Sequence, residues 1–185
     1  MKIAGLILAG GQGSRLGGVD KALLRLGGES LVARAVRRIG VPCAVSANGD
    51  AKRFSNLGVP VLADEFVGKG PLAGVLAGLR WAAAEFLLTV PVDTPFFPET
   101  LAGDLAPGPS VAVWGGRQHH LVALWPVGFA AELAGFLTAP GAYKVRDALT
   151  LCGARPVVFG GAADPFLNIN TPADWDAAQA MLNES

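Results

Sequence analysis

The sequence predicts a three-layer α/β/α domain with a mainly parallel sheet and one antiparallel strand. Three observations carry that expectation. Apolar segments of strand length alternate with amphipathic segments of helix length along the chain. Phe86–Val92 is a near-continuous apolar run, the pattern of a central strand covered on both faces. Gly115-Gly116 lies between two short apolar runs, where it would turn the chain into one antiparallel hairpin.

Lys2–Leu8 reads as the first strand. Ser30–Ile39 reads as an amphipathic helix, with Leu31, Ala35 and Ile39 four apart and Gly40 as a stop. Cys43–Ala47 and Val59–Ala63 follow as strands. Pro71–Ala84 is expected to be helical, with Pro in its first turn and Leu72, Leu76 and Leu79 along it. After Phe86–Val92, a turn at Pro95–Pro98 leads into a short helix. Ser110–Trp114 and Leu121–Trp125 are the hairpin strands. Phe129–Leu137 and Tyr143–Leu151 read as helices, Pro156–Phe159 as a last strand and Pro172–Leu182 as the closing helix. No repeat, low-complexity tract or linker interrupts this order, so residues 1–185 are expected to form a single domain.

Hydrophobic residues make up 51% of the chain and charged ones only 16%, which excludes disorder. No apolar run reaches the roughly 18–20 residues that a bilayer span needs. The apolar start runs into a Gly/Arg loop instead of a small-residue cleavage site, so a cytoplasmic protein is expected. Fifteen basic residues balance fifteen acidic ones. The densest basic cluster, Arg34, Arg37 and Arg38, has the spacing of a solvated helix face and not of a nucleic-acid footprint. Neither nucleic acid nor membrane is therefore expected as a partner. Cys43 and Cys152 match no metal spacing and read as small buried apolar residues.

The chemistry gathers first in the loop after the first strand, Leu8-Ala9-Gly10-Gly11-Gln12-Gly13-Ser14-Arg15-Leu16-Gly17-Gly18-Val19-Asp20-Lys21. In open α/β sheets, ligands bind beyond the carboxyl ends of strands. Glycines let the backbone approach a ligand and turn its N–H groups toward anionic oxygens. Arg15 and Lys21 add positive charge, one as a fork and the other as a point charge. Neither a P-loop nor the dinucleotide fingerprint fits. Gly18 and Gly70 lack the Lys-Ser/Thr that a P-loop requires, and Leu16 stands where the last glycine of G-x-G-x-x-G belongs.

Asp93, in Pro91-Val92-Asp93-Thr94-Pro95, closes the most apolar strand. A carboxylate there suits magnesium shared with substrate phosphates. Asp-Thr-Pro is also good turn chemistry, so by residue type alone the two readings stand level. Asn48 and Asp64 end the next two strands, where each could contact a nucleotide or serve as a turn residue. Near the C-terminus, alternation puts Asn168 and Asn170 on one side of an extended segment, with Thr171 and Pro172 starting a helix. Arg117-Gln118-His119-His120 reads as a loop edge with partly exposed histidines. Lys144 and Arg146 read as helix-surface charge.

The run Leu-Ala-Gly-Gly…Arg15-Leu16-Gly17-Gly18-x-Asp20-Lys21, with Asp93-Thr94-Pro95 and Asn168-x-Asn170-Thr171-Pro172, resembles the molybdenum cofactor guanylyltransferases. The resemblance spans Leu6 to Trp175 and includes the Gly70-Pro71-Leu72-Ala73-Gly74 element. It implies a Rossmann-like nucleotidyltransferase domain that moves GMP from GTP to the terminal phosphate of molybdopterin, or of its molybdenum-loaded form. GTP would be held by Leu8, Ala9, Gly10, Lys21, Asn48, Asp64 and Asp93, and Mg2+ by Asp93. Arg15, Lys21 and Asp93 would be catalytic, and Asn168 and Asn170 would face the pterin. His119 matches a family position, whereas His120 stands where the family has Pro. Other cofactor-biosynthesis proteins and molybdoenzymes are implied as partners. A cytidylyltransferase acting on the same pterin or another small phosphate, and a non-catalytic GTP-binding cofactor carrier, remain as alternatives.

Overall fold

Strand β1 (Ile3–Leu8) lies between β4 (Cys43–Ser46) and β6 (Phe86–Pro91), parallel to both, in a computed structural model that describes residues 1–10, 20–66, 68–141 and 143–183. Leu8 stands opposite Ser46 on one side and Pro91 on the other, so these strands end level. Ser46 is in turn level with Leu62, the last residue of β5 (Val61–Leu62). Beyond β6 come β8 (Arg117–Pro126), β7 (Ser110–Trp114) and β9 (Arg155–Val158), in the order β5-β4-β1-β6-β8-β7-β9. Only β8 runs against the others. The mainly parallel sheet with one antiparallel strand is thus observed. Gly115 and Gly116 form its hairpin turn with φ of 54° and 79°, the conformation that a two-residue turn imposes and that glycine adopts freely.

Alternation along the strands feeds two cores. Ile7, Val45, Leu88 and Val90 pack on one face against Leu31, Val32 and Ala35 of α1 (Leu31–Arg38), with α3 (Leu101–Leu105) and α6 (Pro172–Asn183) alongside. Leu6, Leu8, Leu87 and Trp125 pack on the other against α2 (Pro71–Trp81), α4 (Ala130–Thr138) and α5 (Val145–Leu151). Three layers result. Gly78 of α2 lets the helix lie directly on the sheet, since a Cβ there would meet Leu6 Cδ2 at 2.6 Å and Leu87 Cδ2 at 2.8 Å. Trp125 is fully buried, and its indole N–H is satisfied by the Thr89 hydroxyl at 3.0 Å.

Three expectations change, and one element is new. The hairpin of β2 (Arg25–Leu26) and β3 (Glu29–Ser30) is too short to show alternation, and its Gly27-Gly28 turn has φ of 59° and 83°. Strand β8 begins at Arg117, four residues early, because Gln118 and His119 pair with β7 across a register shift at Val111/Ala112. His119 is therefore a buried strand residue and not part of an exposed loop edge. Cys43 is buried as expected, but Cys152 is only half-buried at the end of α5. Finally, Arg34 and Arg38 do not lie on a solvated face. Arg34 Nε donates to the Pro95 carbonyl at 3.2 Å, and Arg38 Nη2 to that of Phe97 at 2.8 Å. Only Arg37 of the three is mostly exposed. Among the described residues, no helix is long and apolar enough to cross a membrane.

Candidate active site

Because β1, β4, β5 and β6 end level, Ala9-Gly10, Ala47-Asn48, Ala63-Asp64 and Val92-Asp93 leave the sheet along one edge. The antiparallel β8 brings Leu121 and the residues before it to the same edge. Lys21 opens a 3₁₀ turn capped by the Asp20 side chain, which accepts from Ala22 N at 3.1 Å. From there Lys21 Nζ reaches Asp93 Oδ2 at 3.3 Å and Asn170 Oδ1 at 2.7 Å. The side chains of Lys21 and Asp93 keep 18% and 20% of their exposure, enough for a ligand to touch both.

Three cavities meet around this pair. A central one of about 160 Å³ is lined by Leu8, Ala9, Gly10, Lys21 and Asp93. A second, of about 290 Å³, shares Leu8 and Gly10 with it and takes in Asn48 and Asp64. A third, of about 490 Å³, shares Pro91 and Leu121 with the central one and extends to Arg117, Lys144, Arg146 and Asn168. The geometry offers one charged centre with a compartment on either side. Lys144 and Arg146, read from sequence as surface charge, border the third cavity.

Asn48 and Asp64 are locked to each other. Asn48 Nδ2 donates to Asp64 Oδ2 at 2.8 Å, and the Asp64 backbone N–H donates back to Asn48 Oδ1 at 2.9 Å. On the opposite side, Asn168 and Asn170 border a smaller cleft of about 240 Å³ with Arg117, His119 and Asp164. Asn170 is held by Asp174, whose Oδ2 accepts from the backbone N–H groups of Asn170 at 2.9 Å and Thr171 at 2.7 Å. These bonds hold the Asp174 carboxyl below its ordinary range. Arg15 and the rest of Gly11–Val19 lie outside the described residues.

Sequence reading missed Arg53. Its Nε lies 3.0 Å from Asp20 Oδ2 and its Nη2 donates to the Asn48 carbonyl at 2.9 Å. It thereby ties the Lys21 turn to the end of β4. No motif signals this, because Arg53 meets the Asp20 carboxylate and the Asn48 carbonyl only once the fold has brought them close. His119 was likewise misjudged. Its side chain keeps 7% exposure, and its Nε2 lies 3.7 Å from Asp164 Oδ1. Burial pushes its pKa below the ordinary 6.5.

Among the described residues, no three His, Cys, Asp or Glu side chains gather as a metal cage. Asp93 offers a hard carboxylate beside a cavity lined by Leu8, Ala9 and Gly10. That donor set fits magnesium, which takes one or two carboxylates and completes its shell with phosphate and water. It does not fit a structural zinc, which needs four nitrogen or sulfur ligands.

The mainly parallel sheet, the lysine–aspartate centre at its strand ends and the flanking compartments fit a nucleotidyltransferase of the α/β class. A family profile described as "MobA-like NTP transferase domain" matches residues 5–152. The chain is 54% identical to the "Molybdenum cofactor guanylyltransferase" of Acidiphilium cryptum (strain JF-5), covering 95% of this chain and 93% of that protein. It is 48% identical to the protein of the same name from Cereibacter sphaeroides, covering 100% and 99%. In fold it resembles a crystal structure of "Molybdopterin-guanine dinucleotide biosynthesis protein A" from Archaeoglobus fulgidus, with a TM-score of 0.81 at 22% identity over 98% of this chain and 100% of that one. The chain belongs to the MobA-like molybdenum cofactor guanylyltransferase family.

Proposed function

We propose that this enzyme, a single domain over residues 1–185 working in the cytoplasm, transfers GMP from GTP to the terminal phosphate of molybdopterin or its molybdenum-loaded form. The observation that carries the reading is the Lys21–Asp93 pair at the junction of two larger cavities. A nucleotide on the Asn48–Asp64 side and an acceptor on the Asn168 side would meet there. The names of the curated relatives support guanine and the molybdenum cofactor as the reacting partners.

An acceptor phosphate oxygen attacks the α-phosphorus of GTP, the bond from that phosphorus to the pyrophosphate oxygen breaks, and pyrophosphate leaves. The acceptor is already anionic near neutral pH, so no general base is needed. The work left to the protein is positioning and charge neutralisation. Ala9 and Gly10 line the cavity where the phosphates would lie, and Lys21 would place a point charge against them. Arg15 would add a second cation. Asn48 and Asp64 hold the nucleotide end, and Asn168 and Asn170 the pterin. Asp93 would hold Mg2+ together with the phosphates, and that ion would supply further neutralisation of the triphosphate.

Calorimetric titration of the protein with GTP, CTP, ATP and UTP, each with magnesium, tests the reading. Selective GTP binding is expected. Preference for CTP would make the protein a cytidylyltransferase, and binding of none would remove the site assignment.

A further inference from the structure

We propose that Arg34 and Arg38 are positioning residues for the Asp93 carboxylate, acting through the backbone of the loop that Asp93 begins. The inference rests on the nucleotidyltransferase reading of Asp93 given above. The two arginines stand one helical turn apart on α1, where side chains four residues apart share a face. Arg34 Nε donates to the carbonyl of Pro95 at 3.2 Å. Arg38 donates to the carbonyl of Phe97 twice, from Nε at 3.1 Å and from Nη2 at 2.8 Å. Their guanidinium carbons lie 5.6 Å from the centre of the Phe96 ring and 5.8 Å from that of Phe97.

With Ile169 N–H on the Asp93 carbonyl at 2.9 Å, every second carbonyl from residue 93 to 97 is held by a partner distant in sequence. Such carbonyls follow a strand and precede a helix, so secondary structure leaves them without an internal partner. The arginines are themselves oriented. Arg34 Nη1 lies 3.8 Å from Glu29, and Arg38 Nη1 lies 3.4 Å from Glu99. Arg34 keeps 12% side-chain exposure and Arg38 20%, against 54% for Arg37. Holding two long side chains this way sacrifices rotamer entropy that free solvation would not. Neither arginine touches Asp93, so neither is catalytic. Their effect reaches the carboxylate as backbone geometry, to which a shared metal–phosphate site is sensitive.

The test compares wild type with Arg34→Met/Arg38→Met, Arg34→Lys and Arg38→Lys by calorimetric titration of GTP over a series of Mg2+ concentrations and in EDTA. Thermal unfolding is measured alongside. In the double variant, the Mg2+ needed for half-maximal enhancement of GTP binding should rise about tenfold or more, because small misplacements of a site group are costly. Binding of GTP in EDTA should stay within a factor of two or so, which a general loss of structure would not allow. Arg34→Lys should behave like wild type, since one ammonium N–H replaces the one hydrogen bond. Arg38→Lys should shift the Mg2+ dependence, since its two N–H bonds to one carbonyl need the fork. If wild type binds GTP with magnesium and both the double variant and Arg38→Lys keep its Mg2+ dependence, the positioning role falls and the functional reading stands. If wild type binds no nucleotide, the functional reading falls and the positioning role falls with it. Should the double variant fail to fold, Arg38→Lys alone decides.

Discussion

The backbone N–H of Ile169 donates to the carbonyl oxygen of Asp93 at 2.9 Å. This one bond fastens the segment carrying Asn168 and Asn170 to the end of β6. Lys21 adds a side-chain bridge over the same join, touching Asp93 and Asn170 together. The acidic residue, the lysine and the asparagine segment are therefore one mechanical unit, although they are spread over most of the chain.

Replacing Asp93 with Ala should abolish nucleotidyl transfer at physiological magnesium, and Lys21→Ala should reduce it at least tenfold, since a charge-assisted hydrogen bond contributes about 1.5–3 kcal/mol. Pyrophosphate release assayed with GTP and the pterin acceptor measures both. Near-normal rates in both variants would sink the mechanism.

Asn48→Ala should weaken GTP binding by about tenfold, because it removes one hydrogen bond to the Asp64 carboxylate and one from the Asp64 backbone N–H, which together orient Asp64. The Michaelis constant for the pterin acceptor should stay unchanged, since Asn48 lines only the cavity on the far side of the Lys21–Asp93 centre. Equal effects on both substrates would show that the two compartments do not divide the substrates as proposed.

Gly78→Ala should destabilise the fold by about 1–3 kcal/mol, the usual range for overpacking. Its Cβ would fall between Leu6 and Leu87, both fully buried in the sheet. Denaturant unfolding measures this. Gly128→Ala serves as the comparison, because nothing stands within 4 Å of a Cβ there.

Acid should weaken the fold through His119. Burial lowers its folded pKa from the ordinary 6.5, with Asp164 opposing the shift. Above 6.5 both folded and unfolded chains hold it neutral. As pH falls through 6.5, the unfolded chain takes up a proton that the folded chain refuses, so stability declines until the lower folded pKa is reached. Urea midpoints measured from pH 7.5 down to 5 should fall, and His119→Phe should flatten that part of the curve. An unchanged slope in the variant would assign the acid sensitivity elsewhere.

Much of the fold was legible because its strands are apolar on both faces. Ile3–Leu8, Cys43–Ser46 and Phe86–Pro91 lie within the runs expected of them, and the Gly115-Gly116 turn marks the one reversal. Hairpin β2–β3 and the first residues of β8 were not legible. The former is too short for periodicity, and the latter is polar in sequence, with only His119 buried once it pairs with β7. Arg34 and Arg38 were misread for a related reason. Spacing shows that they share a helix face but not what that face meets.

Within the candidate site, the sequence alone marked the strand ends and the residue types on them. A glycine loop after one strand and an aspartate after another are local patterns, and local patterns survive in one dimension. The tertiary structure decided the pairings: Lys21 with Asp93 and Asn170, Arg53 with Asp20 and the end of β4, and the arginines of α1 with the loop after Asp93. Most of those contacts join residues tens of positions apart through parallel strands whose register is set by burial of both sheet faces. Hydrogen bonds are lost within an ångström or so of extra separation, and charge interactions are screened over about 8–10 Å. Which groups meet is therefore decided only once the sheet has brought its strand ends level.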